Sequence, residues 1–456
     1  MRLRDALTGL LVAMAVVATP ASMLLVPDAV ASTRDHGEDD DDEAESCDRR
    51  GGDNFCSGEA IVHLRDGVTP SALLSAMIDE GFETATVLDE IAGEGILLLQ
   101  VTMNDDEEEM LEELLDLEDD NGRLVTWAEL NYVGDSPQGN PSRFFPRSLA
   151  DPQAAEDGDS WGRKDVGAAR AARCSTGQGI VVAVIDTGLD TAHPAFANHV
   201  EGAWNAFLQL EGHVADVGDG VNDDGDTDEK GQPLIDESAG HGTHISGIVL
   251  QVAPGARIMP IKALDSDGNG NAFVVAQAIF HAVDAGADVV NLSLGTTSRS
   301  AVIEDAVRHA REAGVIIVAA AGNSGAQGEA EYPAALKQVI AVGATDAKGK
   351  PASSSRKARA GFNTTASGID ISAPGMEIKS AFPRGVQSVN SDYATWSGTS
   401  MASPWVAGAV ALLLEEQQGL SANQVLALLQ DSANPIKKGN GLGAGRLNAA
   451  KALGCR

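Results

Sequence analysis

A chain of 456 residues with 43% hydrophobic side chains can bury more than one ordinary core, so we expect two folded units. Only 4% of the residues are aromatic, and the formal charge of -35 would repel phosphate backbones and anionic lipid headgroups. These properties argue against nucleic-acid partners and against peripheral membrane binding. About half of the acidic side chains but under a third of the basic ones lie in the first 150 residues, which indicates a separate solvated piece there; a salt-adapted host would also explain acidity.

The N-terminus has the three parts of an export signal. Arg2 and Arg4 precede an apolar stretch at residues 6–17, and the small residues Ala29-Val30-Ala31 form a cleavage site before Ser32. We therefore predict a signal peptide at residues 1–31 and a secreted, extracellular protein. The alternative is an uncleaved anchor, because the apolar run resumes at residues 23–26.

The region after the signal changes character near residue 59. Residues 32–58 contain an acidic run at 38–43 and little that could be buried, so we predict a disordered linker. Residues 59–135 are predicted to form a small α+β unit, with strands at 60–64, 96–101 and 124–133, a helix after Pro70 and an acidic helix within 105–120. Four prolines mark residues 136–160 as an exposed, protease-accessible linker.

Residues 161–456 are predicted to form a larger α/β domain. Short, continuous apolar runs at 180–185, 258–261, 289–292 and 315–318 alternate with helical stretches such as 273–285 and 301–313. Strands of this kind are typical of a parallel sheet that helices cover on both faces.

The four cysteines allow three disulfide connectivities. In an exported chain they are expected to pair, and if each unit closes its own bridge the pairs are Cys47–Cys56 and Cys174–Cys455. Four free thiols are the alternative.

Three segments place a polar residue among small ones at the end of a strand or near the start of a helix. Asp186 ends a predicted buried strand, His241 begins a helical stretch, and Ser400 precedes a helix at 402–414 with Pro404 in its first turn. We expect all three to meet at one sheet edge. Taken singly, an aspartate after a strand is usually a turn residue and a serine before a helix is usually an N-cap.

Residues 184–188, 240–244 and 397–404 resemble the three signature blocks of the subtilisin family, in that family's order of Asp, His and Ser. The resemblance extends over roughly residues 160–450 and implies a subtilisin-like fold, with a mostly parallel central sheet and helices on both faces. It also implies a serine endopeptidase in which Asp186, His241 and Ser400 form a charge-relay triad and an acyl-enzyme forms on the serine. Its partners would be polypeptide substrates, and we expect a monomer.

Further residues follow from the same resemblance. Asn323, in a block like that family's oxyanion-stabilising one, would donate a hydrogen bond to the tetrahedral intermediate. The expected substrate-binding residues are Ser293, Leu294, Gly295, Ala321, Gly322 and Glu331. Glu331 stands where the floor of the specificity pocket usually has a small residue, so we predict a preference for Arg or Lys before the scissile bond. Self-cleavage after Arg143 or Arg147 would agree with that preference. His193 and His244 are expected to be structural.

Residues 59–135 look like the inhibitory propeptide of the same family, which implies an intramolecular inhibitor of a self-processing zymogen. An acidic insertion at residues 216–229 precedes His241, and its alternating oxygen side chains suit a structural Ca²⁺. The predicted ligands are Asp219, Asn222, Asp224, Asp226 and Asp228. The glycine and glutamate spacing of an EF-hand is absent, and a merely solvated acidic loop is the alternative.

Two other readings of the whole chain differ in class. One is a catalytically inactive homologue that captures peptides in the same cleft without turnover. The other is a lipase-like hydrolase, but its nucleophile would lie in Gly-x-Ser-x-Gly and would precede Asp and His in the chain, opposite to the order here.

Overall fold

A computed structural model describes residues 55–102, 107–135, 160–211, 219, 238–323, 330–352, 368–384, 392–436 and 441–455. The predicted signal peptide and nearly all of the linker at 136–160 lie outside the described residues.

The N-terminal unit is an antiparallel sheet with helices on one face. Its strands are β1 (Phe55–Leu64), β2 (Thr84–Ile91), β3 (Ile96–Thr102), the short hairpin β4 (Glu118–Asp119) and β5 (Gly122–Arg123), and β6 (Val125–Asp135). The helices are α1 (Pro70–Glu80) and α2 (Glu107–Asp116). Leu73 and Met77 from α1 and Met110 and Leu114 from α2 pack into one buried cluster with the sheet. Sequence periodicity predicted both helices and missed β2, in which every residue except Ile91 is exposed or half-buried.

The predicted disordered linker at 32–58 is wrong at its C-terminal end. β1 begins at Phe55, which pairs with Tyr132 of β6 across an irregularity in the register. Cys56 is 2% exposed and disulfide-bonded, so it is held in the strand. The polar composition of this segment predicted disorder. The prediction failed because the strand that pairs with the segment lies more than 70 residues further along the chain.

The larger unit contains a sheet in the order β15-β14-β13-β12-β7-β10-β8-β9. The strands are β7 (Val181–Asp186), β8 (Trp204–Asn205), β9 (Leu210–Glu211), β10 (Arg257–Lys262), β12 (Val289–Leu292), β13 (Ile316–Ala320), β14 (Ile340–Thr345) and β15 (Ile371–Pro374). All neighbours pair in parallel except β8 and β9. The α/β class is confirmed.

Helices cover both faces of this sheet, because alternate residues of its strands point to opposite sides. Val182 and Val184 of β7 pack toward α5 (His241–Val252) and α8 (Thr399–Glu416). Ala183 and Ile185 pack toward α6 (Ala272–Asp284) and α7 (Ala301–Glu312). The remaining elements are α3 (Trp161–Asp165), α4 (Ala168–Ala171), α9 (Ala422–Ser432), α10 (Ala449–Ala452), β11 (Asn269–Asn271), β16 (Ile378–Ala381) and β17 (Tyr393–Trp396).

The N-terminal sheet lies against α6 and α7. Ile61, Ile91, Ile96 and Leu98 project from its second face into the same apolar cluster as those two helices. The edge strand β6 also pairs with β11 of the larger unit, so the five-stranded sheet runs in the order β11-β6-β1-β3-β2.

Cys174 and Cys455 form a disulfide with a Cα–Cα distance of 6.3 Å, as the sequence predicted for a bridge within the larger unit. Cys56 is also bonded, and Cys47 lies outside the described residues. Among the described helices, none has the length and apolarity needed to cross a bilayer.

Candidate active site

The site lies where the carboxyl ends of neighbouring parallel strands meet. Asp186 ends β7, Ser293 follows β12 on one side of β7, and Asn323 follows β13 just beyond. Open α/β sheets gather ligand-binding residues at this edge, because the loops after adjacent strands converge there. Asp186, Ser293 and Asn323 therefore lie at one edge of the sheet.

Asp186 and His241 form a fully buried pair. His241 is the first residue of α5, and its Nδ1 lies 2.6 Å from Oδ1 of Asp186. Both side chains are at most 1% exposed. Because a carboxylate can only accept, Nδ1 carries a proton, and this choice of tautomer makes Nε2 the basic nitrogen of the neutral ring.

Ser400 lies inside a helix rather than before one, which corrects the sequence prediction. α8 begins at Thr399, one residue before Ser400, so Pro404 lies within the helix. The Ser400 hydroxyl donates to the carbonyl oxygen of Ser293 at 3.1 Å, and the Ser293 hydroxyl donates to the carbonyl oxygen of Ser400 at 3.0 Å. The start of α8 is thus tied to the segment that follows β12.

Asn323 is oriented by the residue next to Ser400. Its side-chain oxygen accepts hydrogen bonds from the backbone N–H of Thr399 at 2.9 Å and from the Thr399 hydroxyl at 3.0 Å. A backbone N–H must face an oxygen, so the Nδ2 group of Asn323 points the other way. The N–H of Ser400 belongs to the first turn of α8, where N–H groups have no partner within the helix.

Glu331 lies against two glycines of the predicted cleft. A Cβ atom added to Gly322 would come within 2.1 Å of the Glu331 carboxyl carbon, and one added to Gly295 would lie 3.0 Å from its Oε2. The backbone N–H of Glu331 also donates to the carbonyl oxygen of Ala321 at 3.1 Å. The structure therefore brings Gly295, Ala321, Gly322 and Glu331 together, with Ser293 and the buried Leu294 in the segment that leads to Gly295.

An extended segment of the N-terminal unit occupies the same region. In the β6–β11 pairing, Gly134 stands opposite Gly270 and Val133 opposite Asn271. A Cβ atom added to Gly134 would lie 3.5 Å from the carbonyl oxygen of Gly295. The end of β6 thus runs between β11 and the segment after β12. The sequence analysis missed β11 as one wall of this groove. The run of Gly and Asn at residues 268–271, directly before α6, could have indicated an extended segment there.

Two polar side chains of β6 cap helices of the larger unit. The Glu129 carboxylate accepts from the Ser300 hydroxyl at 2.9 Å and from the N–H groups of Ala301 and Val302 at 2.6 and 2.9 Å, at the start of α7. Burial raises the pKa of Glu129, and these donors oppose the rise. Asn131 is fully buried, and its oxygen accepts from the N–H of Phe273 at 3.2 Å, at the start of α6.

The contacts of Asp219 differ from those expected of the predicted calcium ligand. Its Oδ1 accepts from the Thr187 hydroxyl at 2.8 Å and from the Gly240 N–H at 3.1 Å, and its Oδ2 accepts from the Thr243 N–H at 2.8 Å. Burial raises its pKa, hydrogen bonds from Thr243 and Thr187 lower it, and the charge of Asp186 raises it. Donors directed at both oxygens would repel a cation, so Asp219 does not fit a calcium site.

The other predicted calcium ligands, Asn222, Asp224, Asp226 and Asp228, lie outside the described residues. Within the described part of the chain, no group of three or more His, Cys, Asp or Glu side chains is arranged to hold a metal ion.

The two other histidines near the site, His193 and His244, contact backbone carbonyl groups. Nε2 of His244 lies 3.1 Å from the carbonyl oxygen of Ile378, and burial lowers the pKa of this imidazole to about 3. Nε2 of His193 lies 2.9 Å from the carbonyl oxygen of Asp392, and its Nδ1 accepts from the Ala195 N–H. Both contacts agree with the predicted structural roles.

Comparison with known proteins identifies the family. A family model described as the subtilase family matches residues 177–450. The chain belongs to the subtilase family. This subtilase is 37% identical to subtilisin Savinase of Lederbergia lenta over 286 residues, which is 61% of this chain and 91% of the relative. It is 36% identical to thermitase of Thermoactinomyces vulgaris over 333 residues, 71% of this chain and 99% of that protein.

A longer match includes the N-terminal unit. The subtilase is 31% identical over 410 residues to a thermophilic serine proteinase of Bacillus sp. (strain AK1), covering 88% of each chain. Among solved structures, fervidolysin from Fervidobacterium pennivorans, described as a keratinolytic enzyme related to subtilisin, superposes with a TM-score of 0.67 at 23% identity. That match covers 88% of this chain and 61% of fervidolysin, and it shows the common fold. The subtilase is a subtilisin-like serine endopeptidase that acts on polypeptides.

Proposed function

We propose that this endopeptidase works through the triad of Asp186, His241 and Ser400. The observation that carries the proposal is the fully buried pair of Asp186 and His241 at the carboxyl edge of the sheet, with Nδ1 and Oδ1 2.6 Å apart. Ser400 supports it, because its hydroxyl contacts the segment that follows the neighbouring strand β12.

The chemistry follows from these positions. A serine hydroxyl is a weak nucleophile at neutral pH, so Nε2 of His241 takes its proton as Oγ bonds to the substrate carbonyl carbon. Asp186 holds the ring in the required tautomer and stabilises the imidazolium. The imidazolium then gives its proton to the leaving amine as the peptide C–N bond breaks. Water, activated by the same nitrogen, hydrolyses the acyl-enzyme and restores Ser400.

Asn323 would stabilise the negative oxygen of the tetrahedral intermediate together with the Ser400 N–H. The support is the orientation of the Asn323 amide. Its oxygen accepts hydrogen bonds from Thr399, so its Nδ2 group points away from Thr399. Preorganised donors of this kind act where charge develops, and the start of α8 adds its positive dipole end.

We infer that residues 55–135 inhibit the enzyme until they are removed. The support is the pairing of β6 with β11, which lays an extended segment along the groove that a substrate would need. Glu129 and Asn131 hold that segment to two helices of the peptidase domain. In this proposal the protein is made as a zymogen, and it cuts its own chain in the linker at 136–160.

Glu331 is proposed to favour Arg or Lys before the scissile bond. Its carboxylate lies against Gly295 and Gly322, and Gly322 directly precedes Asn323 in the chain. In this proposal, the substrate residue that precedes the cleaved bond approaches the same place. A carboxylate in a partly desolvated pocket attracts a cationic side chain and disfavours an acidic one. Cleavage after Arg143 or Arg147 in the linker would follow from this preference.

A fluorophosphonate probe and the chain's own processing test the enzyme proposal together. Wild type and Ser400→Ala should be expressed side by side, and their masses, N-termini and probe labelling compared. The proposal expects a shortened, labelled wild type with an N-terminus at Phe144 or Ser148, and a full-length, unlabelled variant. A wild type that stays unlabelled after removal of residues 1–160 would favour a peptide-binding homologue without turnover. A mature N-terminus near Val133 would count against the basic preference.

Calcium remains a proposal for the acidic insertion, supported by the alternating oxygen side chains of Asn222, Asp224, Asp226 and Asp228. These residues would hold the ion in a structural role, and no catalytic step needs it. The melting temperature with excess Ca²⁺ and with a chelator tests this proposal. Equal values would support a solvated acidic loop instead.

We also propose that the protein is exported from the cell. The residues that support export are Arg2, Arg4 and the apolar stretch at 6–17, and culture fractionation would show whether the mature chain leaves the cell. We also propose that the enzyme acts as a monomer, which sedimentation equilibrium can measure directly.

A further inference from the structure

A second buried carboxylate lies behind the proposed triad. Asp219 comes from the acidic insertion, yet it is only 6% exposed, and its carboxylate accepts hydrogen bonds from Thr187, Gly240 and Thr243, which belong to the segments that carry Asp186 and His241. Thr187 directly follows Asp186, and Gly240 and Thr243 flank His241 in the chain. The mechanism of peptide hydrolysis does not use this carboxylate.

The Thr187 hydroxyl lies between the two carboxylates. Its Oγ1 is 2.8 Å from Oδ1 of Asp219 and 3.4 Å from Oδ1 of Asp186, and it accepts a hydrogen bond from the Gly242 N–H at 3.0 Å. A hydroxyl has one proton, so the shorter distance assigns that proton to Asp219. If Asp219 could not accept it, the proton would turn to Asp186.

A Thr187 hydroxyl that donated to Asp186 would affect His241 directly. Oδ1 of Asp186 accepts from Nδ1 of His241 at 2.6 Å and from the N–H of Thr187 at 2.8 Å. A third donor on the same oxygen would compete with Nδ1 for the lone pairs that hold the imidazole. Asp219 keeps the Thr187 hydroxyl away from this oxygen.

Asp219 also fixes the helix that carries His241. α5 starts after Gly240, which has no side chain to cap the helix, and Asp219 supplies the capping oxygens for the Gly240 and Thr243 N–H groups. His241 is the first residue of this helix, so any movement of its first turn moves the imidazole. This turn also packs closely against the segment after β7, because a Cβ on Gly242 would lie 2.1 Å from the carbonyl oxygen of Gly188.

We propose that Asp219 is a positioning residue of the peptidase site, which holds His241 in line through Thr187 and through the first turn of α5. The inference rests on the proposed triad and adds to it a carboxylate that touches no substrate.

The first test compares Asp219→Asn with Glu415→Gln in the processed enzyme. Asparagine has the same shape but would turn an N–H group toward the Thr187 hydroxyl or a backbone N–H. Glu415 also binds backbone N–H groups, at residues 176 and 177, but in a different part of the domain. We expect Asp219→Asn to lower kcat by about tenfold to a hundredfold with KM little changed. Glu415→Gln should lower the melting temperature and leave kcat at the wild-type value.

A kcat of Asp219→Asn within about twofold of wild type would overturn the inference. So would a loss of kcat that matches only the unfolded fraction of the variant, as measured by its melting curve. The far-downfield proton resonance of the His241 Nδ1–H gives an independent readout, which should shift or broaden in Asp219→Asn and stay in place in Glu415→Gln.

A double-mutant cycle tests the route through Thr187. Thr187→Ser keeps the hydroxyl and should retain activity, whereas Thr187→Val removes the proton that would compete for Oδ1 of Asp186. If Asp219 acts through this hydroxyl, adding Thr187→Val to Asp219→Asn should restore part of the lost kcat. Fully additive losses would overturn the route.

The two proposals fail in different ways. A wild-type enzyme that does not react with the fluorophosphonate probe would reject the proposed triad. A wild type that reacts, together with an Asp219→Asn variant that reacts at the same rate, would reject only the positioning role.

Discussion

Glu331 is the charged side chain by which we expect this subtilase to select its substrates. The Glu331 carboxylate lies beside Gly295 and Gly322, and a methyl group on Gly322 would overlap its carboxyl carbon at 2.1 Å. A single substitution is therefore expected to change selectivity without changing the chemistry.

Replacing Glu331 with Gln should lower kcat/KM for peptides that have Arg or Lys before the scissile bond by roughly tenfold or more. Peptides with Leu or Ala there should be affected little, because the pocket keeps its shape. The ratio of kcat/KM values for matched peptides measures the effect, with Glu312→Gln on the exposed side of α7 as the control. An equal loss for all peptides would show that Glu331 does not set the preference.

A second carboxylate makes the stability dependent on pH. Oε2 of Glu415 accepts from the Ser175 hydroxyl and from the N–H groups of Thr176 and Gly177, all within 2.7 Å. Desolvation alone would raise the pKa of Glu415, but these hydrogen bonds, with one from Gln178, outweigh it and hold the pKa below its usual value. The stabilisation is therefore complete above the unfolded pKa of about 4.3 and is lost as the pH falls through the folded value.

In the Ser400→Ala background, Glu415→Gln should reduce the free energy of unfolding by about 1–3 kcal/mol at neutral pH. The difference from the parent should shrink as the pH falls below about 4.3, because the parent loses its charged acceptor. Urea unfolding at several pH values measures this difference, and Glu416→Gln is the exposed neighbouring control. A difference that stays constant with pH would contradict the assignment.

At the scale of elements, β6 contacts the helices α6 and α7 by capping their starts. Glu129 and Asn131 stand two residues apart on one strand, so their side chains point to the same face and reach the starts of two neighbouring helices. Each supplies an oxygen to N–H groups that have no partner within their helix.

Removing either cap in the full-length Ser400→Ala chain should loosen only its own helix. We expect Glu129→Ala to speed amide exchange at Ala301 and Val302 on the order of tenfold, and Asn131→Ala to do so at Phe273. Hydrogen exchange with mass spectrometry resolves the two regions, and the exposed Glu112→Ala on α2 is the control. Unchanged exchange in both variants would mean that β6 contributes little to these helix ends.

Across the whole molecule, the Cys174–Cys455 bridge joins residues 281 positions apart, so it restrains nearly the entire peptidase domain in its unfolded state. It also holds the end of the chain beside α4, which carries Ala171 into the main apolar cluster. A cross-link over so long a segment removes much of the entropy of the unfolded chain.

Replacing both cysteines with Ser in a Ser400→Ala background should cost about 2–4 kcal/mol and lower the midpoint of thermal unfolding. Calorimetry measures the shift. Cys56→Ser is the control, because Cys56 is a disulfide-bonded residue of the N-terminal unit. The prediction fails if the double variant melts at the parent temperature.

The sequence by itself determined the family, the α/β class, the strands β7, β10, β12 and β13, and the helices α5, α6, α7 and α8 of the peptidase domain. Apolar runs such as residues 180–185 predicted β7 because a strand buried on both faces needs them. The motif residues Asp186, His241, Asn323 and Ser400 could be selected because each lies in a short block readable along the chain. The pairing of Cys174 with Cys455 was predicted conditionally, and the tertiary structure contains it.

Contacts between distant segments could be decided only by the tertiary structure. The start of β1 at Phe55 depends on a partner strand far along the chain, and the wall formed by β11 depends on where β6 ends. Asp219 was predicted as a calcium ligand because its neighbours in sequence are acidic, whereas its neighbours in space are Thr187, Gly240 and Thr243. Local composition predicts which ligands an oxygen could take, but only the folded chain shows which donors reach it.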